Sequence, residues 1–198
     1  MDIAAERKVL FLNHNLQETT NGNDTASKGI SHYASNSLPI AYIDIDIEKM
    51  VLAIRDMKIE MAVNEITTLI LKDDFIDGEI SESEKYMEVA YKSDNFDCIK
   101  EALMKVYTNN FSNSHIVVGI LMMISRVPYD AIEPKGTLMA LGSLSHKNLE
   151  VRDRVIQCFE RWNSKKGLVI LKSIECSPAW LQNYANKVIS FIEEEGIE

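Results

Sequence analysis

The sequence predicts an all-α chain, and three observations carry that expectation. Apolar residues recur every three or four positions from about residue 46 onward, glycine (8) and proline (4) are scarce, and the last third contains an internal repeat of helical stripes. At 198 residues, 46% apolar and 26% charged, the chain is long and apolar enough to bury a sizeable core, and its composition argues against wholesale disorder.

Two regions are expected, residues 1–45 as an irregular N-terminal segment and 46–198 as a helical domain. In the first, Lys8 to Leu12 (KVLFL) suits either a short strand or part of a helix, too short to decide. Thr19 to Ser37 is rich in Asn, Ser, Thr and Gly, which favour turns and add little to a core, so 19–37 reads as a polar loop. Ile40 to Ile47 (IAYIDIDI) alternates apolar and acidic residues. That pattern fits a strand or an extended lead-in to a helix that starts near Asp46.

Beyond that point the period is helical. Met50, Ile54 and Met57 form one stripe, Met61, Ile66, Leu69 and Ile70 a second, and Ile99, Leu103, Val106 and Tyr107 a third, all read as core faces. Ile116 to Ile124 (IVVGILMMI) is apolar nearly all round, the mark of a central helix covered on several sides. Pro128 and Pro134 then interrupt the chain, since proline cannot continue a helix interior.

A shift of 30 residues sets Leu138, Leu141 and Leu144 against Leu168, Leu171 and Ile174. The same shift sets Val151, Val155, Cys158, Phe159 and Trp162 against Leu181, Ala185, Val188, Ile189 and Ile192. Two helical stripes joined by a short turn and repeated once describe stacked αα-hairpins, in which Leu141, Val155, Phe159, Leu171 and Ile189 are expected to be buried.

Pro134 to Trp162 (PKGTLMALGSLSHKNLEVRDRVIQCFERW) resembles a HEAT repeat. The resemblance lies in the proline at the first helix, the L-x-x-L-x-x-L stripe, and the short polar turn before Val151-Arg152. It implies a superhelix of stacked antiparallel hairpins, a core role for Val151, a structural role for Arg152, and a curved surface that binds protein or nucleic acid. The second unit departs from the pattern, with Leu181-Gln182 where Val-Arg would stand, and the usual turn aspartate is replaced near Asn148.

Charge is unevenly spread. The formal net is −9, but Tyr42 to Asp97 carries fifteen acidic and six basic residues, while Pro134 to Lys172 carries three acidic and eight basic. An acidic total argues against general phosphate-backbone binding and suits steering toward a basic protein. Nucleic-acid contact through Arg152, Arg154, Arg161, Lys165 and Lys166 is therefore disfavoured, and these residues read as a structural arginine and a solvated helix face. The longest apolar runs fall short of a membrane span, and Met1 to Arg7 lacks the opening of a secretory leader, so a cytoplasmic protein is expected. Cys98, Cys158 and Cys176, odd in number and set in apolar helical patterns, read as reduced thiols.

The sharpest motif is Asp73 to Glu84 (DDFIDGEISESE). Against a calcium-binding helix-loop-helix pattern, Asp73, Asp77, Gly78 and Glu84 fall at positions 1, 5, 6 and 12, but position 3 is Phe75, which has no oxygen to give. It reads as a solvated acidic loop without metal, and Asp73, Asp74, Asp77, Glu79, Glu82 and Glu84 are the candidate partner-binding residues. Asp44 and Asp46 have no phosphate loop or Walker-type lysine beside them and read as strand decoration or a helix cap. His14, His32, His115 and His146 share no metal-ligand spacing, and no nucleophile stands beside an identifiable base, so neither a cofactor nor a catalytic centre is expected.

A small, acidic, non-enzymatic helical chain is similar in general character to the immunity proteins of bacterial contact-dependent toxins. That similarity implies a basic, nuclease-type toxin domain as the partner. A HEAT-like adaptor subunit is the alternative, and a HEAT-like nucleic-acid enzyme, such as a base-lesion glycosylase, a third class.

Overall fold

Why the chain turns helical at residue 46 is visible in one side chain. Asp46 Oδ1 accepts the Lys49 N–H at 3.2 Å and so satisfies one of the free donors that every helix start exposes. The computed structural model of the protein describes residues 46–76 and 78–197. The expectations for Lys8–Leu12, for Thr19–Ser37 and for most of Ile40–Ile47 lie outside them.

Helix α1 runs over Ile47–Lys72, with no glycine or proline in its 26 residues. Then follow α2 (Glu82–Ala90), α3 (Phe96–Asn109), α4 (Ser114–Ser125), α5 (Tyr129–Ile132), α6 (Lys135–Ser143), α7 (Leu149–Trp162), α8 (Lys165–Leu171) and α9 (Ala179–Glu195). Among the described residues the chain is all-helical, and its only β pairing is an isolated bridge between Ser164 and Ile197.

Helix α4 is the centre. Every residue from Ile116 to Ser125 is buried, and α1, α2, α3, α6 and α7 all pack on it. Asn113 starts it, its Oδ1 accepting the N–H groups of His115 and Ile116. Gly119 lets α1 approach closely, since a Cβ there would stand 2.6 Å from Ile70 Cγ2. Helix α7 is tied to α4 by polar contacts as well as packing: Trp162 Nε1 donates to the Ile124 carbonyl at 3.1 Å and the Cys158 thiol to the Leu121 carbonyl at 3.2 Å. The first of these gives a second donor to a carbonyl at the end of α4 that also accepts the Val127 N–H at 3.3 Å.

In the last third, α6 packs on α7, α8 on α9, and α7 on α9. Val151, Val155, Cys158, Phe159 and Trp162 of α7 are buried, as are Leu181, Ala185, Val188 and Ile192 of α9. The first helix of the first unit corrects the expectation. Leu138 is 59% exposed and Leu141 only half-buried, while Gly136, Met139, Ala140 and Ser143 face inward. The reason is geometric: a strict three-residue spacing drifts about 60° per step around a helix of 3.6 residues per turn, whereas the 3-4 spacing of the inward set stays on one face. Ile189 is likewise half-buried, and Leu171 fully buried as expected.

A larger correction concerns α1. Its second half buries Ile59, Ala62, Ile66 and Ile70 against the domain. The stripe Met50, Ile54 and Met57, expected in the core, is exposed, as is Met61. The reason is reach and not azimuth alone: every residue of α1 before Ile59 is exposed, including Leu52, which lies seven residues before Ile59 and so on the same side of the helix.

Candidate protein-docking surface

The acidic segment Asp73 to Glu84 joins α1 to α2, and the structure divides its carboxylates. Asp73 turns inward: its Oδ2 accepts the Ser83 N–H at 2.8 Å and its Oδ1 the Glu82 N–H at 3.3 Å, so it caps the start of α2 from nine residues upstream. Glu84 is buried more completely, its side chain 1% exposed. Its Oε2 accepts the Ser81 N–H at 3.0 Å while Ser81 Oγ accepts the Glu84 N–H, closing a reciprocal box at the helix start. Its Oε1 accepts from Arg126 Nε at 2.8 Å and from Arg161 Nη1 at 3.1 Å, and Arg161 also donates to Ser125 Oγ at 3.0 Å.

The electrostatics follow. Burial alone would raise the Glu84 pKa, but the Ser81 N–H, the Arg126 hydrogen bond and the charges of Arg126 and Arg161 hold it below the ordinary carboxylate value. Glu84 is an anion that joins α2, the end of α4 and α7.

Between these two anchors the turn is shaped by Phe75 and Gly78. The Phe75 ring is half-buried and stands 5.2 Å from that of His115, whose Nε2 donates to the Ile70 carbonyl at 2.8 Å. Gly78 has φ +89°, a left-handed conformation that a side chain would strain. Asp74, Glu79 and Glu82 face solvent, Glu82 within 2.6 Å of Lys85 Nζ. Asp77 lies outside the described residues. Of the six candidates, then, three are presented outward and two serve as internal anchors.

This arrangement also bears on the calcium pattern. Both of its terminal carboxylates, Asp73 and Glu84, are committed to α2 and to two arginines, and Phe75 packs against the core. Adding calcium to about 1 mM is therefore expected to leave the melting midpoint within about 1 °C. A rise of several degrees would show that the anchors give way to the ion. Among the described residues no group of three or more His, Cys, Asp or Glu has a metal-binding arrangement.

Of the five basic residues from Arg152 to Lys166, Lys165 is exposed and the other four have partners within the chain. Arg152, read as a structural arginine, donates from Nη1 to the Ser177 carbonyl at 2.9 Å, linking α7 to the turn before α9. Arg154 donates to Gln157 Oε1 at 2.7 Å, Arg161 is held by Glu84, and Lys166 pairs with Asp130 at 2.7 Å. Of the histidines, His146 is buried in the turn before α7, where its Nδ1 accepts the Asn148 N–H; His14 and His32 lie outside the described residues. Cys158 is buried, which pushes its thiol up to about 12, while Cys98 and Cys176 are half-buried and all three are free.

Comparison with family models, curated proteins and solved structures finds no match. The surface itself must carry the functional reading. Arg126 and Arg161 were not foreseen as its supports, yet one signal was present: Ser81-x-x-Glu84 is the spacing of a reciprocal cap, which assigns Glu84 to the helix start. Among the described residues no helix is long and apolar enough to cross a membrane.

Proposed function

We propose that this chain is a non-catalytic protein-binding module of HEAT-like helical hairpins that docks a basic protein domain, in the manner of an immunity protein neutralising a nuclease-type toxin. One observation carries the reading: Asp74, Glu79 and Glu82 are presented to solvent on a turn whose inner carboxylates, Asp73 and Glu84, lock it to the domain. A turn anchored at both ends loses little freedom on binding, and clustered exposed carboxylates accelerate encounter with a basic surface. The exposed acidic groups of the α2–α3 region, Asp94 and Asp97, carry the same sign of charge.

The test is capture of the partner from the native host, followed by stopped-flow association at low and high salt. The triple variant Asp74→Lys, Glu79→Lys, Glu82→Lys is expected to slow association at least about tenfold at low salt and to flatten its salt dependence, with unchanged helix content. Asp73 and Glu84 are unsuitable for charge reversal because their loss would disturb the fold. Unchanged rates in the triple variant would remove this turn from the interface. Several modest partners in place of one tight, basic one would favour an adaptor subunit.

A further inference from the structure

The first half of α1 carries a second surface of a different kind. Ile47, Met50, Ile54, Met57 and Met61 are spaced 3-4-3-4, and all five stand 42–63% exposed. That spacing is the a/d seam of a two-helix coiled coil, in which each side chain enters a hole on a facing helix. The seam has limits on the same face: the next two positions in register, Asn64 and Thr68, are polar and exposed. The seam is thus confined to residues 47–61, where Val51 and Leu52 beside it are exposed as well.

We propose that this seam joins two copies of the chain through an α1–α1 contact related by a two-fold axis. Three observations favour a second copy over another occupant. First, the five side chains expose on the order of 500 Å² of apolar surface, close to the apolar share of a standard interface of about 800 Å² per partner, and near the upper end of what a monomer leaves open. Second, the flanking charge is balanced: residues 46–61 hold four acidic and three basic groups, whereas 62–97 hold ten and three. Like meets like here without the repulsion that the acidic turn would impose. Third, a two-fold contact needs one self-complementary patch, and a helix with a heptad seam is such a patch.

The groove at the end of the seam adds to it. Met61 lies beside Val89, Ala62, Ile99 and Cys98 around a cleft of about 310 Å³ between α1, α2 and α3, with Lys58 and Glu65 also lining it. Val89 is itself widely exposed. In an antiparallel arrangement the Ile47 end of one helix falls against the Met61–Val89 end of its copy, whereas a parallel one places Glu60 opposite Glu65. The antiparallel pairing is the one assigned. The acidic turn begins beyond Lys72, about 16 Å along the helix axis from Met61.

The full chain has a mass of 22.5 kDa. Sedimentation equilibrium between about 1 and 200 µM is expected to show that mass doubling as the concentration rises. Ile54→Glu with Met57→Glu should hold the chain monomeric throughout with unchanged helix content, because both positions face solvent in the monomer. Asn64→Glu with Thr68→Glu, on the same face beyond the seam, should dimerise like the parent chain. A second readout avoids any substitution: peroxide oxidation of Met50, Met57 and Met61, followed by mass spectrometry, should slow severalfold from the dilute to the concentrated sample. A parent chain that stays monomeric, a dimer that survives the Ile54→Glu, Met57→Glu double change, or seam methionines whose oxidation is independent of concentration would each overturn the proposal. None of these readouts involves a partner protein, so their failure leaves the acidic-turn reading to its own test.

Discussion

Replacing Glu84 with alanine is expected to destabilise the fold by about 3 kcal/mol, the lower end of the loss seen when one member of a buried ion pair is removed. The lower end applies because Arg126 and Arg161 are 23% and 31% exposed and recover part of their hydration when the carboxylate goes. Two further losses come with it: the Ser81 N–H loses its acceptor, and α2 loses half of its reciprocal cap. Glu84→Gln keeps an oxygen for Ser81 but not the charge, so it should fall between parent and alanine variant. Urea unfolding followed by circular dichroism measures both, and a loss below about 1 kcal/mol for alanine would mean that the arginines find other partners.

The same residue predicts a pH dependence with a definite sign. Glu84 has a pKa held below its ordinary value of 4.5 in the folded chain. It therefore binds fewer protons folded than unfolded, and its contribution is fully present above the ordinary value. That contribution is lost as pH falls through the lowered one. The parent chain should lose stability on acidification below about pH 4.5, and the Glu84→Gln variant should lack that part of the slope.

Phe159→Ala is expected to cost about 3–5 kcal/mol, equivalent to roughly 10 °C in melting midpoint for a domain of this size. Phe159 is among the largest fully buried side chains, and its ring meets that of Trp162 edge-on at 5.4 Å between centroids. On its other side the start of α8 is in contact range: a Cβ at Gly167 would lie 3.5 Å from Phe159 Cδ1. With Trp162 on one side and the start of α8 on the other, the site collapses only in part to fill the void. Leu138→Ala is the informative comparison. It belongs to the sequence stripe that suggests burial, yet it is exposed, and its loss should stay within about 0.5 kcal/mol. A large loss at Leu138 would place the inward face of α6 in a different register.

Much of the helical fold is legible along the chain. The stripe Ile99, Leu103, Val106 and Tyr107 is buried, Ile116 to Ile124 is the covered central helix, and the second helices of the 30-residue repeat bury the residues their spacing selects, Ile189 alone only in part. These are local properties: periodicity states which side of a helix is apolar, and a run apolar all round needs cover on every side. The acidic turn was legible as a turn for the same reason, from its composition and its Gly78.

By itself, then, the sequence determined the helical class, the order of most helices, the core of α3, α4, α7 and α9, and the place of the acidic turn. Only the tertiary structure decided which apolar stripes are covered and which carboxylates remain outside. Met50, Ile54 and Met57 have the spacing of a core face, but periodicity does not say whether another element reaches that side of the helix, and none of the described residues covers it. Asp73 and Glu84 are carboxylates like Asp74 and Glu79, but the fate of Glu84 was set by groups far along the chain. Arg126 is 42 residues from Glu84, and Arg161 is 77. Burying a carboxylate is favourable only where such partners converge on it, and that convergence exists only once the helices have packed.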